Sequence, residues 1–100
     1  MTVEVRLAAA LRKYTGGIMS VLGQGETIGQ LIDDLERRYP GLKSQLTTDA
    51  SELRLFINIY LNDEDVRFLN ELETPLANGD IITILPAMAG GRIAASQERG

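Results

Sequence analysis

Val3, Val5 and Leu7 alternate with Glu4 and Arg6, the period-two pattern of a strand with one buried and one wet face. A loop closing with Thr15-Gly16-Gly17 leads to Ile18–Leu22, which predicts a short second strand. Few residues separate the two, so an antiparallel hairpin is the simplest connection. The period then changes. Ile28, Leu31, Ile32, Leu35 and Tyr39 follow the i, i+3, i+4, i+7, i+11 stripe of an amphipathic helix. Thr27-Ile28-Gly29-Gln30 opens it as a capping box, and Pro40-Gly41 stops it. Asp33 with Arg37 and Asp34 with Arg38 are spaced as i,i+4 ion pairs on its wet face.

Beyond the helix, Leu42 to Leu46 predicts a further helical turn and Thr47 to Glu52 a polar loop. Leu53 to Leu61 reads as the strongest strand, with Leu55, Ile57, Ile59 and Leu61 on one face. Asn62 to Asp65 predicts a turn and Val66-Arg67-Phe68 a short return strand. Thr74-Pro75-Leu76 suggests a brief turn or 3₁₀ segment, and Asn78-Gly79-Asp80 a tight turn. Ile81 to Leu85 is the last strand, closed by Pro86. The order ββαβββ with one long helix is that of an α+β, β-grasp (ubiquitin-like) fold. In it the helix crosses one face of a mixed sheet, and the first and last strands lie parallel. This non-local pairing comes from the order of elements, not from periodicity.

Composition narrows the function. One hundred residues make one domain. Lys and Arg number 10 against 14 Asp and Glu, a net charge of −4, and no basic stripe suggests nucleic acid. No segment approaches the ~20 apolar residues of a membrane span. Met1 leads directly into the first strand without a secretory leader, so a cytoplasmic protein is the expectation. Cys, His and Trp are absent. The chain therefore has no thiolate nucleophile, no disulfide framework, and neither the commonest general base nor the commonest neutral metal ligand.

Several motifs reduce to ordinary structure. Gly23-Gln24-Gly25 has Ile28 where a dinucleotide fingerprint needs its third glycine, so a flexible connector into a capped helix is expected. Asp63-Glu64-Asp65 is followed by Val66, Arg67 and Phe68 rather than a central glycine, which excludes a calcium loop. Asp33, Asp34 and Glu36 read as the wet face of the helix, without the cleft that would separate two carboxyl pKa values. Gly90-Gly91 is different because of its context. Strand Ile81–Leu85 runs into Pro86, Ala87, Met88 and Ala89, an uncharged segment of mostly small side chains. Such a backbone can enter a narrow channel, and a carboxylate on Gly91 would be unhindered.

The string GDIITILPAMAGG (residues 79–91) resembles the C-terminal end of the MoaD/ThiS family of ubiquitin-like sulfur carriers. INIYLNDEDVRF (57–68) looks most like its CysO branch, used in cysteine biosynthesis, and ETIGQLIDDLE (26–36) fits the family helix. The resemblance spans nearly all of residues 1–91. It implies a carrier without side-chain catalysis and with no bound cofactor. An E1-like enzyme would use ATP to adenylate the terminal glycine carboxylate, and sulfur would displace AMP to leave a thiocarboxylate. In the CysO-type route this attacks an aminoacrylate on a PLP-dependent cysteine synthase, and a zinc protease of the JAMM type releases the product. Carried over, Gly91 bears the sulfur and Gly90 gives clearance. A carboxylate is a poor electrophile until its oxygen can leave, so activation by ATP is chemically required.

This chain departs from the family pattern in the segment Arg92 to Gly100. An internal glycine cannot be adenylated, so cleavage between Gly91 and Arg92 is expected, with the same JAMM-type protease class as the candidate for the cut. The expected layout is a β-grasp domain over 1–86, a diglycine tail over 87–91 and a removable extension over 92–100. Removal would leave 8 basic against 13 acidic side chains. The family's apolar docking patch for the activating enzyme maps onto Leu7, Leu85 and Asp65, flanked by Pro86 and Met88. Asp65 is not apolar, and parity leaves Leu85 outward and Leu7 ambiguous. Rival readings are a molybdopterin synthase small subunit, a ubiquitin-like modifier joining Gly91 to lysines, and an interaction module that never uses its diglycine.

Overall fold

The computed structural model describes residues 1–87. Strands β1 (Thr2–Leu7), β2 (Ser20–Gln24), β3 (Ile57–Leu61), β4 (Glu64–Asp65) and β5 (Ile81–Pro86) form one sheet in the order β2-β1-β5-β3-β4. The central pair β1–β5 is parallel, with Val5 opposite Ile82 and Leu7 opposite Ile84. The other pairings are antiparallel. Helix α1 (Ile28–Arg38) lays Ile28, Leu31, Ile32 and Leu35 on the face formed by Val3, Val5, Ile59, Ile82 and Ile84. A short helix α2 (Leu42–Leu46) closes one side with Leu42 and Leu46, both fully buried. This is the β-grasp arrangement expected from the order of elements.

The helix starts as its sequence dictates. Thr27 Oγ1 accepts from the Gln30 amide at 3.2 Å, and Gln30 Oε1 accepts from the Glu26 amide at 2.9 Å, one residue before the cap. Its ion pairs differ from i,i+4 spacing alone. Asp34 takes both Arg37 (2.9 Å) and Arg38 (2.7 Å), while Asp33 reaches across to Lys43 at 2.6 Å. The reason lies in β2. As the sheet's edge strand, it turns the Leu22 carbonyl and Gln24 amide away from β1. Arg38 donates to that carbonyl at 2.8 Å, and Asp34 accepts from that amide at 2.9 Å. The Asp34–Arg38 pair thus covers part of an edge that would otherwise offer free pairing groups.

Gly23 is not a flexible connector. It is a strand residue on the core face, opposite Val3, and a Cβ there would overlap Leu31 Cδ1 and sit 3.3 Å from Leu35 Cδ2. A side chain at Gly25 would lie 2.6 Å from the Leu31 backbone nitrogen. Both glycines let the helix seat close to the sheet.

Four further expectations are corrected. The second strand starts at Ser20 rather than Ile18, and Ile18 and Met19 stay half exposed. The preceding loop is a 3₁₀ helix, Ala9–Thr15, which buries Leu11 and ends at left-handed Gly16. The long strand from Leu53 shrinks to Ile57–Leu61. Leu53 bridges to Thr47, and the Arg54 carbonyl accepts from the Ile57 amide at 3.2 Å and from Arg67 Nη2 at 2.6 Å. The chain therefore turns at 54–57, and Leu55, expected inward, is 82% exposed beside Phe56 at 70%. Finally, Val66–Phe68 is a 3₁₀ turn, not a strand, with the Asp65 carboxylate accepting from the Arg67 amide at 2.9 Å. The return strand is instead Glu64–Asp65.

Candidate functional site

The site is defined by where the chain end leaves the sheet. β5 is flanked on both sides, by β1 and β3, so its ladders fix its direction. Pro86 lies opposite Ile57, and the Ala87 amide donates to the Phe56 carbonyl at 2.7 Å. The chain is thus held in register up to Ala87. Proline has no N–H to donate, which suits the last position of the strand. Met88, Ala89, Gly90, Gly91 and Arg92, with the expected cleavage point, lie outside the described residues.

Of the expected docking residues, Leu7 is 3% exposed and packs in the core, so it offers no side-chain surface to a partner. Its parity with Val3 and Val5 decides the ambiguity. Leu85 is on the opposite face, 36% exposed and opposite Asn58. Pro86 is half-buried at the end of the strand. Asp65 lies opposite Tyr60 and caps the turn that follows it. The structure therefore brings Leu85 and Pro86 together where the chain leaves, and it separates Leu7 from them by the thickness of the sheet. Phe56, in the turn just before β3, is 70% exposed, and its carbonyl takes the Ala87 amide two residues beyond Leu85. Sequence reading missed it. The signal was present, since adjacent Leu55 and Phe56 cannot both face inward in an alternating strand.

Arginines surround this end. Arg12 donates to the Leu7 carbonyl at 3.0 Å, Arg54 to the Ser44 carbonyl at 2.8 Å, and Arg67 to Asn58 Oδ1 at 2.9 Å as well as to the Arg54 carbonyl. The carboxylates with shifted titration lie elsewhere. Hydrogen bonds from Arg6 and Ser20 lower the Glu4 pKa. For Asp34, burial pushes upward, but the Gln24 amide, Arg38 and Arg37 together outweigh it and hold the carboxyl below its ordinary value. Among the described residues, no group of three acidic side chains could hold a metal ion. No helix there is long and apolar enough to cross a membrane.

A five-stranded mixed sheet with a parallel central pair, one long helix across it and the chain end leaving from the central last strand defines a ubiquitin-like β-grasp protein. The sequence places it further: the chain belongs to the ThiS family, which matches residues 5–91. It is 50% identical over 93 residues to the sulfur carrier protein CysO of Mycobacterium tuberculosis, covering 91% of this chain and all of that one. It is 31% identical over 93 residues to small archaeal modifier protein 3 of Haloferax volcanii, with the same coverage. Among solved structures, CysO in the Amycolatopsis orientalis BexX/CysO complex superposes with a TM-score of 0.84 at 48% identity, covering 89% of this chain and 99% of that one.

Proposed function

We propose that this chain is a sulfur carrier of the CysO type that works through its own C-terminal glycine. The observation that carries the reading is the 50% identity to CysO across that protein's full length, joined to a fold that delivers the chain end from its central strand. Residues 1–86 form the carrier domain, 87–91 the reactive tail and 92–100 an extension removed first, by a JAMM-type metalloprotease cutting between Gly91 and Arg92. An E1-like enzyme then adenylates the Gly91 carboxylate. The carboxylate oxygen attacks the α-phosphorus of ATP and pyrophosphate leaves. Hydrosulfide attacks the acyl carbon, AMP leaves, and a thiocarboxylate remains. Its sulfur goes to a PLP-dependent cysteine synthase, which places the carrier in cysteine biosynthesis. The protein itself contributes no catalytic side chain and no resident cofactor.

Intact mass measurement on protein from its own cells tests this. The expected species ends at Gly91 and carries sulfur in place of one carboxylate oxygen, and a second species carries cysteine at the same terminus. Sulfur-loaded protein retaining residues 92–100 would overturn the maturation step. A second reading, conjugation of Gly91 to lysines of other proteins, draws support from the similarity to the archaeal modifier. It predicts amide-linked adducts of protein mass and no cysteine adduct.

A further inference from the structure

We propose that Leu55 and Phe56, in the turn before β3, are docking residues for the enzyme that adenylates the chain end. The inference rests on the sulfur-carrier reading. Two adjacent large apolar side chains at 82% and 70% exposure are costly in water, and among the described residues most of their surface is uncovered. Their backbone is held in place from two sides. The Arg54 carbonyl is tied to Arg67 at 2.6 Å, and the Phe56 carbonyl takes the Ala87 amide at 2.7 Å. The turn is therefore a built feature of the tail end of the sheet.

Chain length selects the occupant. Gly91 stands four residues beyond Ala87, a reach of at most about 14 Å. An enzyme that closes its active site around the Gly91 carboxylate must press against whatever surrounds Ala87, and Leu55 and Phe56 are there. Charge points the same way. Arg12, Arg54 and Arg67 stand at this end of a chain whose net charge is −4, and among the described residues none of them forms an ion pair. The complementary surface is an apolar depression with acidic groups at its margin. This surface extends beyond the strand face that carries Leu85 and is supplied by a different segment.

The test is ATP–pyrophosphate exchange by the adenylating enzyme of the same cells, using the protein purified from them. The double variant Leu55→Ser, Phe56→Ser is expected to raise KM about tenfold or more with little change in kcat. Leu22→Ser is the matched control, because Leu22 is 63% exposed and stands opposite Glu4, which lies opposite Ile81 at the start of β5. That is about 20 Å from the tail end along the strand direction, and its KM should not move. Unchanged KM in the double variant, or an equal rise in the control, overturns the inference. Hydrogen exchange on the unsubstituted protein provides a second measure, with amides 54–57 slowing when the enzyme is added; no slowing also overturns it. Absence of exchange activity with the unsubstituted protein overturns the functional reading, and this inference with it.

Discussion

Replacing Gly23 by alanine adds one methyl group to the tightest point between helix and sheet. The new Cβ overlaps Leu31 Cδ1 and comes to 3.3 Å of Leu35 Cδ2, while Val5 Cγ2 at 3.6 Å is ordinary contact. Carbon atoms prefer about 3.5–4.0 Å, and Leu31 and Leu35 have no slack, being 1% and 0% exposed. Leu31 must leave its rotamer or α1 must lift. Overpacking of this kind costs about 1–3 kcal/mol, reduced by about 0.5–1 kcal/mol because alanine is less costly than glycine in a strand interior. The expected net loss is about 1–2 kcal/mol, or a fall in melting temperature of roughly 5–15 °C for a domain of this size. Urea unfolding at neutral pH measures it. Pairing the change with Leu31→Ala makes the reasoning specific. Leu31→Ala alone should cost about 2–5 kcal/mol for its cavity, but that cavity accepts the methyl at position 23. The double variant should therefore be more stable than the sum of the singles by more than ~0.5 kcal/mol. Strict additivity, or a neutral Gly23→Ala, refutes the packing argument.

Two further outcomes follow from the edge and the outer face. Asp34 is held below its ordinary carboxyl pKa in the folded state, so its contribution is complete above the unfolded value and disappears as pH falls through the folded one. Asp34→Asn should cost about 1 kcal/mol at pH 7, after allowance for solvent screening, and the gap from the parent should close toward pH 3. Paired urea titrations at the two pH values check this, and a gap independent of pH refutes it. Leu85→Asp should weaken adenylation while leaving the unfolding midpoint in place, because Leu85 faces outward; matched losses of fold and activity would make it a core residue instead.

The fold was largely legible because its determinants are local. The 28–39 stripe, the Thr27 cap and the alternation of β1 and β5 each follow from neighbours within one element. What escaped depends on contacts between distant segments. Leu55 shares the parity of Ile57 and Ile59, and nothing nearby in sequence says that Arg67 will hold the Arg54 carbonyl and break the strand there. Gly23 looked like a linker because the close seat of Leu31 is a tertiary fact. Asp65 looked like part of a turn, yet it both ends a strand and caps the next turn. For the candidate site, parity sufficed to place Leu85 outward and left Leu7 open, while Phe56 came into view only when β3 shortened. Gly90 and Gly91, singled out by composition and context, lie outside the described residues.

The parallel β1–β5 pair has a mechanical consequence. A partner that draws on the chain end pulls along β5, and the β1 and β3 ladders on either side of it are then loaded in shear. Their hydrogen bonds share the force and must fail together, whereas bonds at a frayed edge open one at a time. A segment attached in this way can bear tension without unzipping the body that carries it. The same attachment depends on completed folding. Because β5 is laid down last and completes the middle of the sheet, a chain that has not finished folding has no firmly mounted end to offer.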